Sequence, residues 1–154
     1  ERCRELGIPY LFDPGQLVIA LGRDDVRSAI VGSRGVICNE YEWDVLQKTS
    51  GWGPRDVLSH AEFLIVTLGE KGVALYTREG MEAIPACTPD RVVNPTGAGD
   101  ALRAGVLYGL SIGWTLRDSC RLGCAMGSKV VEIEGTLLDT IDMDELWGRS
   151  GLVA

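Results

Sequence analysis

The stretch Asn94-Pro95-Thr96-Gly97-Ala98-Gly99-Asp100 runs straight into Ala101-Leu102-Arg103-Ala104-Gly105-Val106-Leu107-Tyr108-Gly109. It reads as a glycine-rich turn that delivers an aspartate to the first turn of a helix spanning 100–110. Two glycines and an alanine leave nothing bulky on the turn, so backbone N–H groups can face an anion directly. The helix behind them adds unpaired N–H groups and about half a positive charge at that end. A carboxylate placed there can take a proton from an alcohol while the N–H groups hold the phosphate under attack, which is the geometry of phosphoryl transfer. The same residues also suit a plain turn before a helix with Asp at its start. No Lys-Ser/Thr pair follows the glycines, and the spacing is not G-x-G-x-x-G, so neither common nucleotide loop is present.

Working outward, the chain alternates strands and helices. Residues 8–13 form a short apolar run ending at Asp13-Pro14-Gly15-Gln16, a strand followed by a turn. A short helix over 24–31 and a buried strand over 35–38 follow. Next come a helix over 40–49 and, with Pro54 at its first position, a helix to about residue 61. Residues 63–68, Phe-Leu-Ile-Val-Thr-Leu, are nearly all apolar and predict a strand buried on both faces. A turn at 69–72 leads into strands over 73–76 and 81–86. Thr115 and Asp118 frame an approximate capping box for a long helix to about residue 132, and Asp142 and Glu145 another for a short last helix. The pattern is that of an α/β layered sheet. Ligands in such sheets sit beyond the carboxyl ends of the strands. Asp13, Asn39, Glu42, Thr67 and Asp100 all follow strands or open helices, so in one sheet they line one edge.

At 154 residues, with 45% hydrophobic and 24% charged residues, the chain has the size and balance of one soluble globular domain. A net charge of −7 argues against a nucleic-acid partner or an anionic membrane surface. No apolar run approaches the roughly 18–20 residues of a membrane span, and the opening residues do not resemble a signal peptide. Five scattered cysteines point to reduced thiols in a cytoplasmic protein. Cys120 and Cys124 share a helix face, compatible with core burial or with half a metal site. His60 is the only histidine.

Three of these segments together resemble the ribokinase-like (PfkB) sugar and nucleoside kinases. Residues 94–105 are similar to that family's C-terminal signature with its Thr-Gly-Ala-Gly-Asp core. Asn39-Glu40-Tyr41-Glu42 matches its N-x-x-E motif, and Thr67-Leu68-Gly69-Glu70-Lys71-Gly72 its T-x-G-x-x-G nucleotide turn. The resemblance implies a ribokinase-like layered sheet flanked by helices, and ATP-dependent phosphorylation of a nucleoside or sugar hydroxyl. Asp100 would be the base, and the amides of Gly97, Ala98 and Gly99 the anion hole. Asn39 and Glu42 would position Mg²⁺ through water. Thr67, Gly69 and Gly72 would shape the ATP site, with Asn94, Thr96, Arg103 and Cys124 also on the nucleotide side. Arg103, one turn beyond Asp100, could equally approach a phosphate or pair with a surface acid. The plainer alternatives are that Asn39 caps the helix after it with Glu42 as its third residue, and that Gly69 and Gly72 are turn glycines.

Two departures from the family pattern stand out. Many relatives carry an aspartate where Asn94 stands, helping to bind an activating monovalent cation, so K⁺ dependence is in question. Many also have Asn or His where Cys124 falls, which leaves base recognition there to packing. Family members run to about twice this length, so 1–154 is expected to be the nucleotide-binding and catalytic C-terminal portion of one kinase domain. The N-terminal half, with its lid, would then be absent, and phosphotransfer by these residues alone would be little or none. The 13–16 turn and residues 103–109 look most like a bacterial branch assigned as adenosine kinases, making adenosine the favoured acceptor. A sugar acceptor, a truncated non-catalytic nucleotide-binding module and a homodimer stay open.

Overall fold

In the computed structural model, the described residues are 2–152. Glu1, Val153 and Ala154, the ends of the expected 1–154 domain, lie outside them. Ordered along the chain are α1 (Arg2–Glu5), β1 (Leu11–Phe12), α2 (Arg23–Ile30), β2 (Gly35–Asn39), α3 (Glu40–Ser50), α4 (Pro54–Leu58) and β3 (Phe63–Thr67). They are followed by β4 (Val73–Thr77), β5 (Gly80–Ile84), α5 (Ala98–Ser111), α6 (Leu116–Val130) and α7 (Met143–Ser150). No helix among the described residues is long and apolar enough to cross a membrane. The contacts divide the chain into two compact units, 2–68 with 74–83 and 69–73 with 84–152.

The first unit is built on the sheet, whose strands lie in the order β1-β2-β3-β4-β5. β1, β2 and β3 run parallel, with Phe12 opposite Val36 and Asn39 opposite Thr67. Only Arg78 and Glu79 join β4 to β5, so that pair is an antiparallel hairpin and the sheet is mixed. Alternation along β2 and β3 sends Val36, Cys38, Leu64 and Val66 into one core with Val26, Ile30, Trp43, Leu46 and Val57 from the helices. The opposite faces of both strands are buried as well, as the unbroken apolar run of β3 predicts. Gly35 is where Phe63 needs room: a Cβ on residue 35 would lie 2.3 Å from the Phe63 ring. His60 stacks on Trp52 with ring centroids 4.7 Å apart, and the Arg27 guanidinium lies over the same indole.

The second unit is a helical pair with a third helix against it. α5 and α6 meet backbone to backbone through glycines. A Cβ on Gly105 would lie 2.7 Å from the Gly123 Cα, and one on Gly123 would lie 2.7 Å from the Leu102 carbonyl oxygen. Gly109 faces Ser119, and Gly127 faces the Ala98 carbonyl, in the same way. α6 is capped by Thr115, whose Oγ1 accepts the Asp118 N–H. α7 is capped by Asp142, whose carboxylate accepts the Asp144 and Glu145 N–H groups. Leu122, Ala125 and Leu146 form the core between α6 and α7.

Several boundaries differ from expectation. The strand expected over 8–13 pairs only at Leu11–Phe12, because β1 has a neighbour on one side alone. The segment after it is not open turn but a 3-10 helix, Gly15–Ala20, which buries Val18 and leaves Leu17 and Ile19 exposed. The helix expected from Pro54 to residue 61 ends at Leu58, and the last strand is Gly80–Ile84 rather than 81–86. α6 stops at Val130, short of residue 132. Most consequentially, the helix expected from Asp100 begins two residues earlier, at Ala98.

Candidate active site

On the first unit, Asn39, Glu42 and Thr67 come together. Asn39 and Thr67 end adjacent parallel strands as register partners, and Glu42 lies in the first turn of the helix that Asn39 opens. Asn39 Oδ1 accepts the Glu42 N–H at 2.8 Å, and Glu42 Oε2 accepts the Asn39 N–H at 2.7 Å. This is a reciprocal capping box, so the plainer alternative for the pair is realised in the hydrogen bonds. It also fixes two oxygen-bearing side chains at the carboxyl edge of the sheet, where ligands of α/β folds bind. Their oxygens are hard donors of the kind Mg²⁺ accepts, directly or through water. Asp13 follows β1 on the same edge, where its carboxylate accepts the Gly15 N–H at 3.0 Å.

Gly69 opens a one-turn 3-10 segment, Gly69–Lys71, and Gly72 follows it, its N–H bonded to the Gly69 carbonyl at 3.0 Å. Gly72 has φ of +95°, and a Cβ there would lie 2.1 Å from the Ile84 carbonyl oxygen, so both backbone and space demand glycine.

On the second unit the 94–100 turn has a defined architecture. Gly97 opens α5 in the left-handed region, φ +90°, and a Cβ there would lie 2.8 Å from the Thr136 carbonyl oxygen. Ala98, Gly99 and Asp100 are thus the first three helical residues, and helical geometry supplies their N–H groups no acceptor four residues back. The Ala98 N–H is engaged by the Pro95 carbonyl at 3.3 Å. No side chain caps the first N–H groups of α5, nor those of α2 and α4, which also begin at glycines, in contrast to α3, α6 and α7; α5 alone of the three begins at a left-handed glycine. Asp100 is exposed. Arg103 lies a turn further on, with Nη1 2.8 Å from where a Cβ on Gly99 would be, so its guanidinium rests against the start of the helix. Thr96 donates its N–H to Asn94 Oδ1 at 2.9 Å.

Cys124 is buried on α6, its thiol pushed up to about 12 by burial and by the nearby Cys87. It is a packing residue rather than a nucleophile. Cys120 is wholly buried, and no group of three or more His, Cys, Asp or Glu suited to a metal occurs among the described residues.

Sequence reasoning missed an ionic network centred on the buried Glu132, on the approach to the 94–100 turn. Glu132, only 6% exposed, pairs with Arg149 at 2.6 Å and Lys129 at 3.2 Å, and accepts the Asp90 N–H at 2.8 Å. Arg149 also reaches Asp90 and Glu145, both at 3.1 Å. Burial by itself would raise the Glu132 carboxyl, but the Asp90 N–H, Arg149 and Lys129 hold it below the ordinary value. The Lys129–Glu132 and Glu145–Arg149 pairs have ordinary helix spacing, but nothing in the sequence marks the bonds that join them to each other and to Asp90, which span 42 and 17 residues.

A mixed sheet flanked by helices in the first unit, and a glycine-opened helix carrying an aspartate in the second, make this an α/β chain. The chain matches the model of the pfkB family carbohydrate kinases over residues 2–142 and belongs to that family. Among its relatives is a nucleoside kinase of Methanocaldococcus jannaschii, 33% identical over 124 residues, or 80% of this chain and 41% of that protein. A nucleoside kinase of Methanothermobacter thermautotrophicus is 30% identical over 94% of this chain and 47% of its own length. The crystallised nucleoside kinase of Burkholderia thailandensis in complex with inosine superposes with a TM-score of 0.91. It is 32% identical over 96% of this chain and 49% of its own. The fold is therefore ribokinase-like, and the chain spans about half the length of these relatives or less.

Proposed function

We propose that residues 1–154 are the nucleotide-binding and catalytic portion of one kinase domain that phosphorylates a hydroxyl of a nucleoside, with adenosine favoured. The observation that carries this is the uncapped, glycine-built start of α5 with Asp100 in its first turn. An N-terminus without a capping side chain keeps its N–H groups for an external anion. Asp100, exposed beside them, accepts the proton of the attacking hydroxyl. Gly97, Ala98 and Gly99 surround the moving phosphoryl group with backbone rather than side chains. The Ala98 N–H, already on Pro95, contributes less than its neighbours.

Bound ATP supplies the phosphoryl group, and Mg²⁺ offsets its charge. Asn39 and Glu42 hold the metal's water shell at the sheet edge, their cap keeping both oxygens in place. Thr67, Gly69 and Gly72 give the nucleotide a smooth backbone wall, Thr96 and Arg103 flank the phosphates, and Cys124 packs behind the base. A nucleoside acceptor is supported by the relatives above, and a purine by the inosine held in the Burkholderia protein.

The test uses a polypeptide of the relatives' length carrying these residues, with ADP formation from Mg-ATP followed against adenosine, inosine, ribose and fructose. Adenosine-dependent turnover, lost in Asp100→Asn while ATP binding persists, is the expected result. Turnover with ribose or fructose alone keeps the mechanism and discards the nucleoside. No turnover with any of them favours a nucleotide-binding module without catalysis.

A further inference from the structure

Asn94 ties two loops of the second unit together with both ends of its carboxamide. Oδ1 accepts the Thr96 N–H at 2.9 Å, and Nδ2 donates to the Glu134 carbonyl at 2.8 Å. Chemistry fixes this orientation. The Thr96 N–H can only donate and the Glu134 carbonyl can only accept, so turning the amide over would set N–H against N–H and oxygen against oxygen. Backbone bonds run beside it: Val93 and Asn94 both donate to the Val131 carbonyl, at 2.7 and 3.1 Å. Residues 93–97 and 131–136 are therefore held side by side, and Gly97 presses on Thr136.

A carboxylate at residue 94 could make only one of these two bonds. One oxygen would accept from Thr96, and the other would stand against the Glu134 carbonyl oxygen where Nδ2 now donates. Two oxygens, one of them charged, repel there, and a cation bound to both, with the pair drawn apart to admit it, would relieve the repulsion. Asn94 instead offers that position an N–H, which repels a cation and needs none. The Nδ2 side of residue 94 does not fit the monovalent ion that the family resemblance suggested.

We infer that the Asn94 Nδ2–H bond to Glu134 takes the place of a bridging cation, so the turn carrying the anion-facing amides is built without one. The consequence for turnover rests on the kinase reading, whereas the bridge itself can be tested without any ligand. The 154-residue chain, Asn94→Asp and Asn94→Ala are melted in KCl and in choline chloride at equal ionic strength, and exchange of the Thr96 amide is followed by NMR. The wild-type chain should show the same Tm and the same Thr96 protection in both salts. Asn94→Asp should melt roughly 2–6 °C lower in choline chloride and recover in KCl. Asn94→Ala should be lowered in both, with faster Thr96 exchange. A wild-type chain stabilised selectively by K⁺ would overturn the inference, and so would an Asn94→Asp variant that matches wild type in choline chloride or gains nothing from KCl. None of these readings depends on turnover, so failure of the kinase proposal leaves them interpretable.

Discussion

The helices α3 and α5 both begin at candidate site residues, yet they solve their first turns in opposite ways. α3 closes itself: Asn39 and Glu42 satisfy each other's backbone N–H groups, and Glu42 is buried in doing so. α5 is left open, with Gly97 at φ +90° and no capping side chain. α6 and α7 follow the α3 pattern through Thr115 and Asp142. A cap satisfies a helix's orphan donors with a side chain, whereas at α5 only the Ala98 N–H is taken, by the Pro95 carbonyl, and no side chain caps the rest. The candidate residues of α3 are thus side-chain oxygens fixed by a cap, and those of α5 are backbone N–H groups without one.

The sharpest way to break this contrast is at Asp100. Asp100→Asn should cut phosphotransfer about 10²–10⁴-fold while leaving ATP affinity and Tm unchanged, read by steady-state kinetics and calorimetry. Gly97→Ala comes next. It forces a Cβ toward the Thr136 carbonyl at a positive φ, and should weaken the anion hole by roughly 3–4 kcal/mol, seen as a fall in kcat/KM. Gly123→Ala tests the support behind α5. Overpacking the seam should cost about 1–3 kcal/mol in denaturant unfolding, with no direct effect on metal requirement.

At α3, Asn39→Ala should cost about 0.5–2 kcal/mol of stability through the lost cap, whereas Asn39→Ser should cost little because serine caps as well. Both should raise the Mg²⁺ concentration needed for half-maximal turnover. An unchanged requirement in Asn39→Ser would reduce Asn39 to a cap.

The smallest effect is on pH dependence. Glu132 is held below its ordinary value of 4.5, so its contribution is present above that value and is lost as pH falls through the folded one. Lys129 is held above its ordinary 10.5, chiefly by Glu145, so its share disappears only in strong alkali. Acid melts should show a Tm decline below about pH 4.5 that is shallower in Glu132→Gln.

The strands and helices that carry a strong local signal were legible in the sequence. Phe63–Val66 is apolar throughout, and Pro54, Thr115 and Asp142 mark helix starts in their own side chains. Where the signal is conformational, it was not. A left-handed Gly97 looks like any other glycine, and the start of α5 was misplaced by two residues for that reason. β1 shortened because an edge strand is set by its neighbours, and the 3-10 segment buries only Val18, too little for a periodic pattern.

By itself the sequence determined the fold class, the family and the identity of the candidate residues, because turn chemistry, caps and apolar periodicity act over a few neighbouring positions. Tertiary structure alone decided which residues hold them in place. The glycine seam of α5 and α6, the Glu132–Arg149 network and the Asn94–Glu134 bridge each join positions far apart in the chain, 40 residues in the last case. Such contacts leave no mark on local pattern: steric clearance and hydrogen-bond partnership exist only once the backbone has brought both partners together.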